Sequence, residues 1–165
     1  AKKEVVDIPE TPPKVVDNGP VTNPPKINFT PEQLSSADKL GVDPKWVNSN
    51  GRTNWPANRG FAETPEVVTL KPGTTFDRYG GTYKNGQFVD AGSFVSPANV
   101  PFEQRALPPS TANKPHTTYE VLKPIPDVDS GKAAPWFDQP GGGVQFDLPL
   151  EIDELIKGGF IKKID

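Results

Sequence analysis

The chain has no cysteine and no methionine, and His116 is its one histidine in 165 residues. Without cysteine there is no disulfide framework and no thiolate metal site. With one histidine besides, a zinc centre is short of ligands, and calcium held by carboxylates is the metal reading left open. Asp127, Asp129 and Ser130 alternate oxygen donors, but the rest of a calcium loop is missing around them. Apolar residues are scarce, at 33%, and no run approaches the roughly 20 that a membrane-spanning helix needs. There is no surplus of positive charge either. The formal net charge is −3, which argues against a nucleic-acid partner bound through its phosphates. A GxGxxG turn, a P-loop and a Gly-x-Ser-x-Gly elbow are all absent, so Rossmann, P-loop and serine-hydrolase sites are not expected. No signal-peptide pattern opens the chain, and no methionine starts it. Both suggest a fragment from the C-terminal end of a larger exported protein.

What is abundant is proline, 21 residues, and glycine, 15. The prolines are unevenly spread. Residues 1–29 carry Pro9, Pro12, Pro13, Pro20, Pro24 and Pro25 among Lys, Val and Asp, and read as a proline-rich linker that cannot bury enough surface to fold alone. Residues 30–54 read as a short helical lead-in. Thr30 and Gln33 form a capping-box pattern with Pro31 at the first helical position, Leu34, Ala37 and Leu40 share a face, and Gly41 stops the helix. Asp43–Pro44 starts another turn that carries Trp46 and Val47 to a core surface.

From Trp55 the texture changes to short β-type runs. Strands are predicted at Val67–Leu70, Thr74–Tyr79, Phe94–Val95 and Thr118–Leu122, the last stopped by Pro124 and Pro126. Asn85–Gly86 between Tyr83 and Phe88 marks a hairpin. A last helix is predicted from Pro149 to Lys157, with Ile152, Leu155 and Ile156 on one face, then a closing strand over Phe160–Ile164. Residues 55–165 therefore read as a small, strand-dominated α+β domain.

Several runs in this domain point to chemistry. Asp77–Arg78–Tyr79–Gly80–Gly81 places an arginine at a strand end beside small residues, suited to a carboxylate or phosphate, or to a surface pair with Asp77. Arg105, in Phe102–Glu103–Gln104–Arg105, reads as a second anion contact or a partner of Glu103. Gln139–Pro140–Gly141–Gly142–Gly143 follows Pro135–Trp136–Phe137. Three successive glycines imply close backbone approach or positive φ, and the amide with its aromatics suits a ligand wall or a plain turn. His116 alone reads as a solvated or satisfied histidine ahead of a catalytic one.

Taken in order, Trp55-Pro-Ala-Asn-Arg-Gly-Phe61, Leu70-Lys-Pro-Gly73 with Asp77-Arg-Tyr-Gly-Gly81, Phe94-Val-Ser-Pro97, Pro101-Phe-Glu-Gln-Arg-Ala-Leu-Pro-Pro109, Tyr119 to Pro124, and Pro135-Trp-Phe137 with Gln139-Pro-Gly-Gly-Gly143 and Gln145 resemble the tuberculosis necrotizing toxin family. The resemblance implies an ADP-ribosyltransferase-like scaffold and NAD(P)⁺ glycohydrolase activity. NAD⁺ or NADP⁺ is then substrate, and no cofactor is needed. It implies Arg78 as a phosphate contact and catalytic residue, Arg105 as a second contact or support, Gln139 as a catalytic hydrogen bond to the nicotinamide ribose, Phe94 packed on the nicotinamide, Tyr79 beside the substrate, and His116 as a catalytic candidate. A cognate immunity protein is the implied partner, and secretion or delivery into a target-cell cytoplasm the implied destination. Phe94 stands where some members have Tyr, Asp138 where a small residue is common, and Thr82–Ala91 reads as an insertion. The Glu-x-Glu pattern of protein-modifying toxins is missing, so hydrolysis is expected ahead of ADP-ribosyl transfer. A non-catalytic binding module is the alternative of another class.

Overall fold

The computed structural model describes residues 28–164, so the linker predicted over 1–29 falls almost wholly outside the described residues. Helix α1, Pro31–Leu40, starts where the capping box predicts. Thr30 Oγ1 accepts from the Gln33 N–H at 3.1 Å, and the Gln33 carboxamide accepts from the Thr30 N–H at 2.9 Å. Gly41 ends the helix in the left-handed region at φ 76°. Of the predicted apolar face, Ala37 is buried and Leu40 partly buried, while Leu34 is half exposed. The helix packs on short 3₁₀ turns at Pro44–Trp46 and Pro109–Asn113, and Gln33 Nε2 donates to the Val47 carbonyl at 2.8 Å. Trp46 and Val47 are buried as predicted, and Trp46 joins Trp136, Phe137 and Ala106 in a small second core.

Nine strands lie among the described residues: β1 Glu66–Leu70, β2 Thr75–Tyr79, β3 Thr82–Lys84, β4 Gln87–Val89, β5 Phe94–Pro97, β6 His116–Val121, β7 Ile125–Lys132, β8 Val144–Asp147 and β9 Ile161–Lys163. Seven form one antiparallel sheet in the order β1-β7-β8-β5-β2-β6-β9. The other two form the predicted hairpin, with Asn85 and Gly86 both at positive φ, as a tight two-residue turn requires. Strand β5 joins the two halves of the sheet. Its first residues, Phe94 and Val95, pair with β8, whereas Ser96 and Pro97 pair with β2. Past Asp77, β2 stays bonded to β6 through Arg78 and Tyr79 but leaves β5. Arg78 and Phe94 thus sit where two neighbouring strands part.

Strands β7 and β8 were not predicted. Pro126 reads as a strand stop, yet it lies inside β7, where the register with β1 jumps between Val68↔Val128 and Leu70↔Ile125. At such a bulge the missing N–H of proline costs little, and Asp127 takes a positive φ of 60°. Helix α2, Ile152–Lys157, starts later than predicted, with the Glu151 N–H donating to the Glu154 carboxylate at 3.1 Å. It buries Ile152 and Leu155 on the sheet against Leu70, Phe76, Val95, Tyr119, Val121, Ile125, Val128 and Ile161, and turns Ile156 outward. Each such buried side chain contributes about 1.5–3 kcal/mol. Among the described residues no helix is long and apolar enough to cross a membrane.

Candidate active site

A cavity of about 420 Å³ opens on the sheet where β2 and β5 part, and a smaller recess of about 50 Å³ adjoins it. The larger is lined by Arg59, Arg78 and Arg105, by Trp55, Pro56, Phe94, Ala106, Leu107 and Ala134, and by Gln145. Arg78, Phe94, Arg105 and Gln145 line the recess as well, together with Tyr79. No carboxylate is among the lining residues. The chamber is cationic and aromatic, with one carboxamide.

Arg78 is held at two of its three nitrogens. Its Nε donates to Asp90 Oδ2 at 2.8 Å and its Nη1 to the Phe94 carbonyl at 2.9 Å. The second bond spans the gap left by the parting strands. Nη2 makes no hydrogen bond among the described residues, and the side chain, 20% exposed, lines both the cavity and the recess. Space for the group comes from glycine: a Cβ on Gly92 would lie 1.9 Å from Arg78 Nη2, and one on Gly80 2.7 Å away.

Arg105 is a different case. It is buried, its Nε and Nη2 donate to the Val100 carbonyl at 3.0 and 2.8 Å, and its guanidinium covers the Tyr79 ring. Nη2 also lies 2.5 Å from Asp77 Oδ1, an ion contact whose angle is not that of a hydrogen bond. Asp77 is buried too. Its Oδ2 meets His116 Nε2 at 3.0 Å and accepts from the Asn99 N–H at 3.2 Å. His116 is exposed, stacks on Tyr79 with centroids 4.2 Å apart, and is not among the cavity-lining residues. Tyr79 in turn meets the edge of Phe102. Most of the donors and rings in this cluster are spent on one another.

Gln139 also lies off the cavity wall. Its Nε2 donates to the Leu107 carbonyl at 2.6 Å, and its backbone pairs with Trp136. It therefore fixes the Leu107 segment of the cavity wall. The glutamine that does line the cavity is Gln145, in β8, whose Nε2 donates to the Arg59 carbonyl at 3.3 Å. The glycine run meets its predicted need: Gly141 has φ 64°, and a Cβ there would lie 2.7 Å from the Ala133 carbonyl oxygen. Asp138, the residue before Gln139, accepts from Trp46 Nε1 at 3.0 Å and pairs with Lys45, tying down the helical lead-in.

Beside Gln145, Arg59 and Trp55 line the cavity without having been predicted as site residues. Arg59 bonds Asp129 at 2.9 Å and Asp147 on the facing strand, and these carboxylates, Asp129 first, raise its pKa. Asp129 is thus committed to an arginine, and no group of three or more metal-ligating side chains lies among the described residues. Trp55 stands exposed at the rim, edge-on to Phe137. Its exposure, and the positive φ of Asn58, Arg59 and Gly60 in the same run, are structural signals with no counterpart in composition.

The protein is thus an antiparallel-sheet α+β protein with a cavity lined by arginines and aromatic rings. The family described as Tuberculosis necrotizing toxin matches residues 69–164, and the chain belongs to that family. It is 33% identical over 168 residues to the conidial surface nicotinamide adenine dinucleotide glycohydrolase nadA of Aspergillus fumigatus, over 89% of this chain and 68% of that one. Its fold is similar to that of tuberculosis necrotizing toxin, solved in complex with its immunity factor IFT, with a TM-score of 0.54 at 19% identity over 92% of this chain and 98% of that one.

Proposed function

We propose that the chain is an NAD⁺ glycohydrolase, cleaving the nicotinamide–ribose bond to give nicotinamide and ADP-ribose, with NADP⁺ as a further substrate. The observation that carries it is the lining of the cavity: guanidiniums, aromatic rings and a carboxamide, with no carboxylate. Kinship with a glycohydrolase at 33% identity supports it. Nicotinamide carries its positive charge before the bond breaks and leaves neutral, so no strong general acid is required. The ribose passes through an oxocarbenium-like state, water adds to its anomeric carbon, and a proton is released to solvent.

Arg78, with its Nη2 unbonded, takes the pyrophosphate, with Arg59 as a second cation at the mouth. Phe94 packs on the nicotinamide, and Trp55 closes over a ring from the other side. Gln145 takes the ribose-orienting role expected of Gln139, which supports the wall through Leu107. Arg105, Tyr79 and His116 hold the floor rather than the substrate. Two half-sheets parting at β5 support an ADP-ribosyltransferase-like scaffold for residues 55–165, to which the lead-in 30–54 is fastened through Trp46. A cognate immunity protein would plug this mouth and present acidic groups to Arg78. The activity would deplete NAD⁺ in a cell into which the protein is secreted or delivered.

The test is incubation of the purified protein with NAD⁺ and no acceptor. Nicotinamide and free ADP-ribose in equal amounts are expected. ADP-ribose found only on protein by mass spectrometry would establish a transferase instead, and no loss of NAD⁺ a binding module.

A further inference from the structure

Arg78 works only if its guanidinium is presented at one angle, and the contacts that set this angle lead away from the cavity. The carboxylate on its Nε belongs to Asp90, which is buried. Asp90 Oδ1 accepts from the Gly92 N–H at 2.9 Å, folding residues 90–92 into a turn whose glycine leaves room for Nη2. The backbone N–H of Asp90 is shared between both carboxylate oxygens of Asp153, at 2.9 and 3.0 Å. The first turn of α2 answers with its own amides: Asp153 N–H donates to the Asp90 carbonyl at 3.1 Å and Ile152 N–H to the Gly92 carbonyl at 2.9 Å. Asp153 lines neither cavity.

We infer that Asp153 is a positioning residue for the reaction: from the first turn of α2 it fixes the 90–93 turn, and through Asp90 it holds Arg78 in its substrate-binding orientation. The helix that closes the hydrophobic core therefore also aims the cation in the cavity. This inference rests on the reading of Arg78 as a substrate contact.

Three readouts on Asp153→Ala and Asp153→Asn test it: kcat/KM for nicotinamide release from NAD⁺, the affinity for ADP-ribose, and the exchange rate of the Arg78 Nε–H by NMR. Losing a charged acceptor of a buried N–H is expected to lower kcat/KM and ADP-ribose affinity about 10- to 100-fold in Asp153→Ala. Asparagine keeps an acceptor oxygen and stays within about threefold of wild type. The Arg78 Nε–H exchanges faster in the alanine variant only. On an Arg78→Ala background, Asp153→Ala adds less than about twofold, because the two act as one unit. Wild-type kcat/KM and Nε–H exchange in Asp153→Ala, losses that add in full on the Arg78→Ala background, or an asparagine variant as impaired as alanine would each overturn the inference. If Asp153→Ala does not fold, Asp90→Asn reads the next link and must itself lower kcat/KM and speed Nε–H exchange. A protein that never releases nicotinamide but whose Nε–H exchange depends on Asp153 keeps the relay and loses the enzymatic reading.

Discussion

Arg78 and Arg105 face the same cavity from neighbouring positions, and the difference between them shows how an arginine's task is set. Arg105 is buried beside an equally buried Asp77, bonded twice to the Val100 carbonyl and covered by Tyr79. Arg78 is held through Nε by Asp90 and through Nη1 by Phe94, and its Nη2 makes no hydrogen bond among the described residues. Both are cations in a chamber without a carboxylate, so charge alone does not separate them. The donors left over do. Arg105 fastens the 98–108 segment to β2, and Arg78 is the residue with a nitrogen left to offer.

The comparison breaks most visibly if Arg105 is removed. Arg105→Ala leaves Asp77 buried with only His116 and an amide, and truncating one partner of a buried ion pair costs about 3–5 kcal/mol. Urea denaturation should show a loss of that size, with activity falling because the loop is released. A stability close to wild type would mean that Arg105 is as free as Arg78.

The two glutamines give a second contrast. Gln145→Ala is expected to lower kcat about 10-fold or more at nearly unchanged stability, the loss of a hydrogen bond made in the transition state. Gln139→Ala should cost about 1–2 kcal/mol of stability through the Leu107 carbonyl, with a smaller effect on kcat. Reversed outcomes would return the ribose contact to Gln139.

Tyr119, in the core beneath the cavity, supplies a pH test. Burial, reinforced by the Asp90 carboxylate, pushes its phenol up to about 12 from the usual 10, while Thr117 pulls the other way from a position that makes no hydrogen bond. A folded-state pKa above the unfolded one means that this stability is intact below about pH 10 and is lost as pH rises towards 12, at most about 2–3 kcal/mol. Tyr119→Phe removes a buried hydroxyl without a partner, so stability at pH 7 should hold or rise by about 1 kcal/mol, with the alkaline loss flattened. An unchanged alkaline limb would assign that loss to another group. The smallest effect belongs to Arg59→Ala, whose exposed pairs with Asp129 and Asp147 should cost less than about 1 kcal/mol and fade with added salt.

The contrast also marks what was legible in the residues. Alternation exposed β2, turn chemistry the Asn85–Gly86 hairpin, and capping chemistry α1, because these signals are local. Strand β7 was hidden by Pro126 and Asp127, which a bulge accommodates only because β1 shifts register beside them. Without β7 and β8 there was no way to see that Gln145 lines the cavity while Gln139 faces Leu107. The Arg78 and Phe94 positions were legible as motif pieces. That Arg105 is consumed by Asp77 was not, since the partner lies 28 residues earlier in the chain and is brought there by the β2 ladder. Arg59 and Trp55 gave no chemical signal because they are lining residues by virtue of where their loop crosses the sheet.

The most direct test of the account is kcat/KM for nicotinamide release from NAD⁺ by Arg78→Ala, measured beside wild type with both shown to be folded. Loss of a preorganised cation at the pyrophosphate predicts a fall of about 10²- to 10³-fold, with the unfolding transition shifted little. A folded Arg78→Ala protein that releases nicotinamide at the wild-type rate would contradict it, and would move the substrate away from the cleft between β2 and β5.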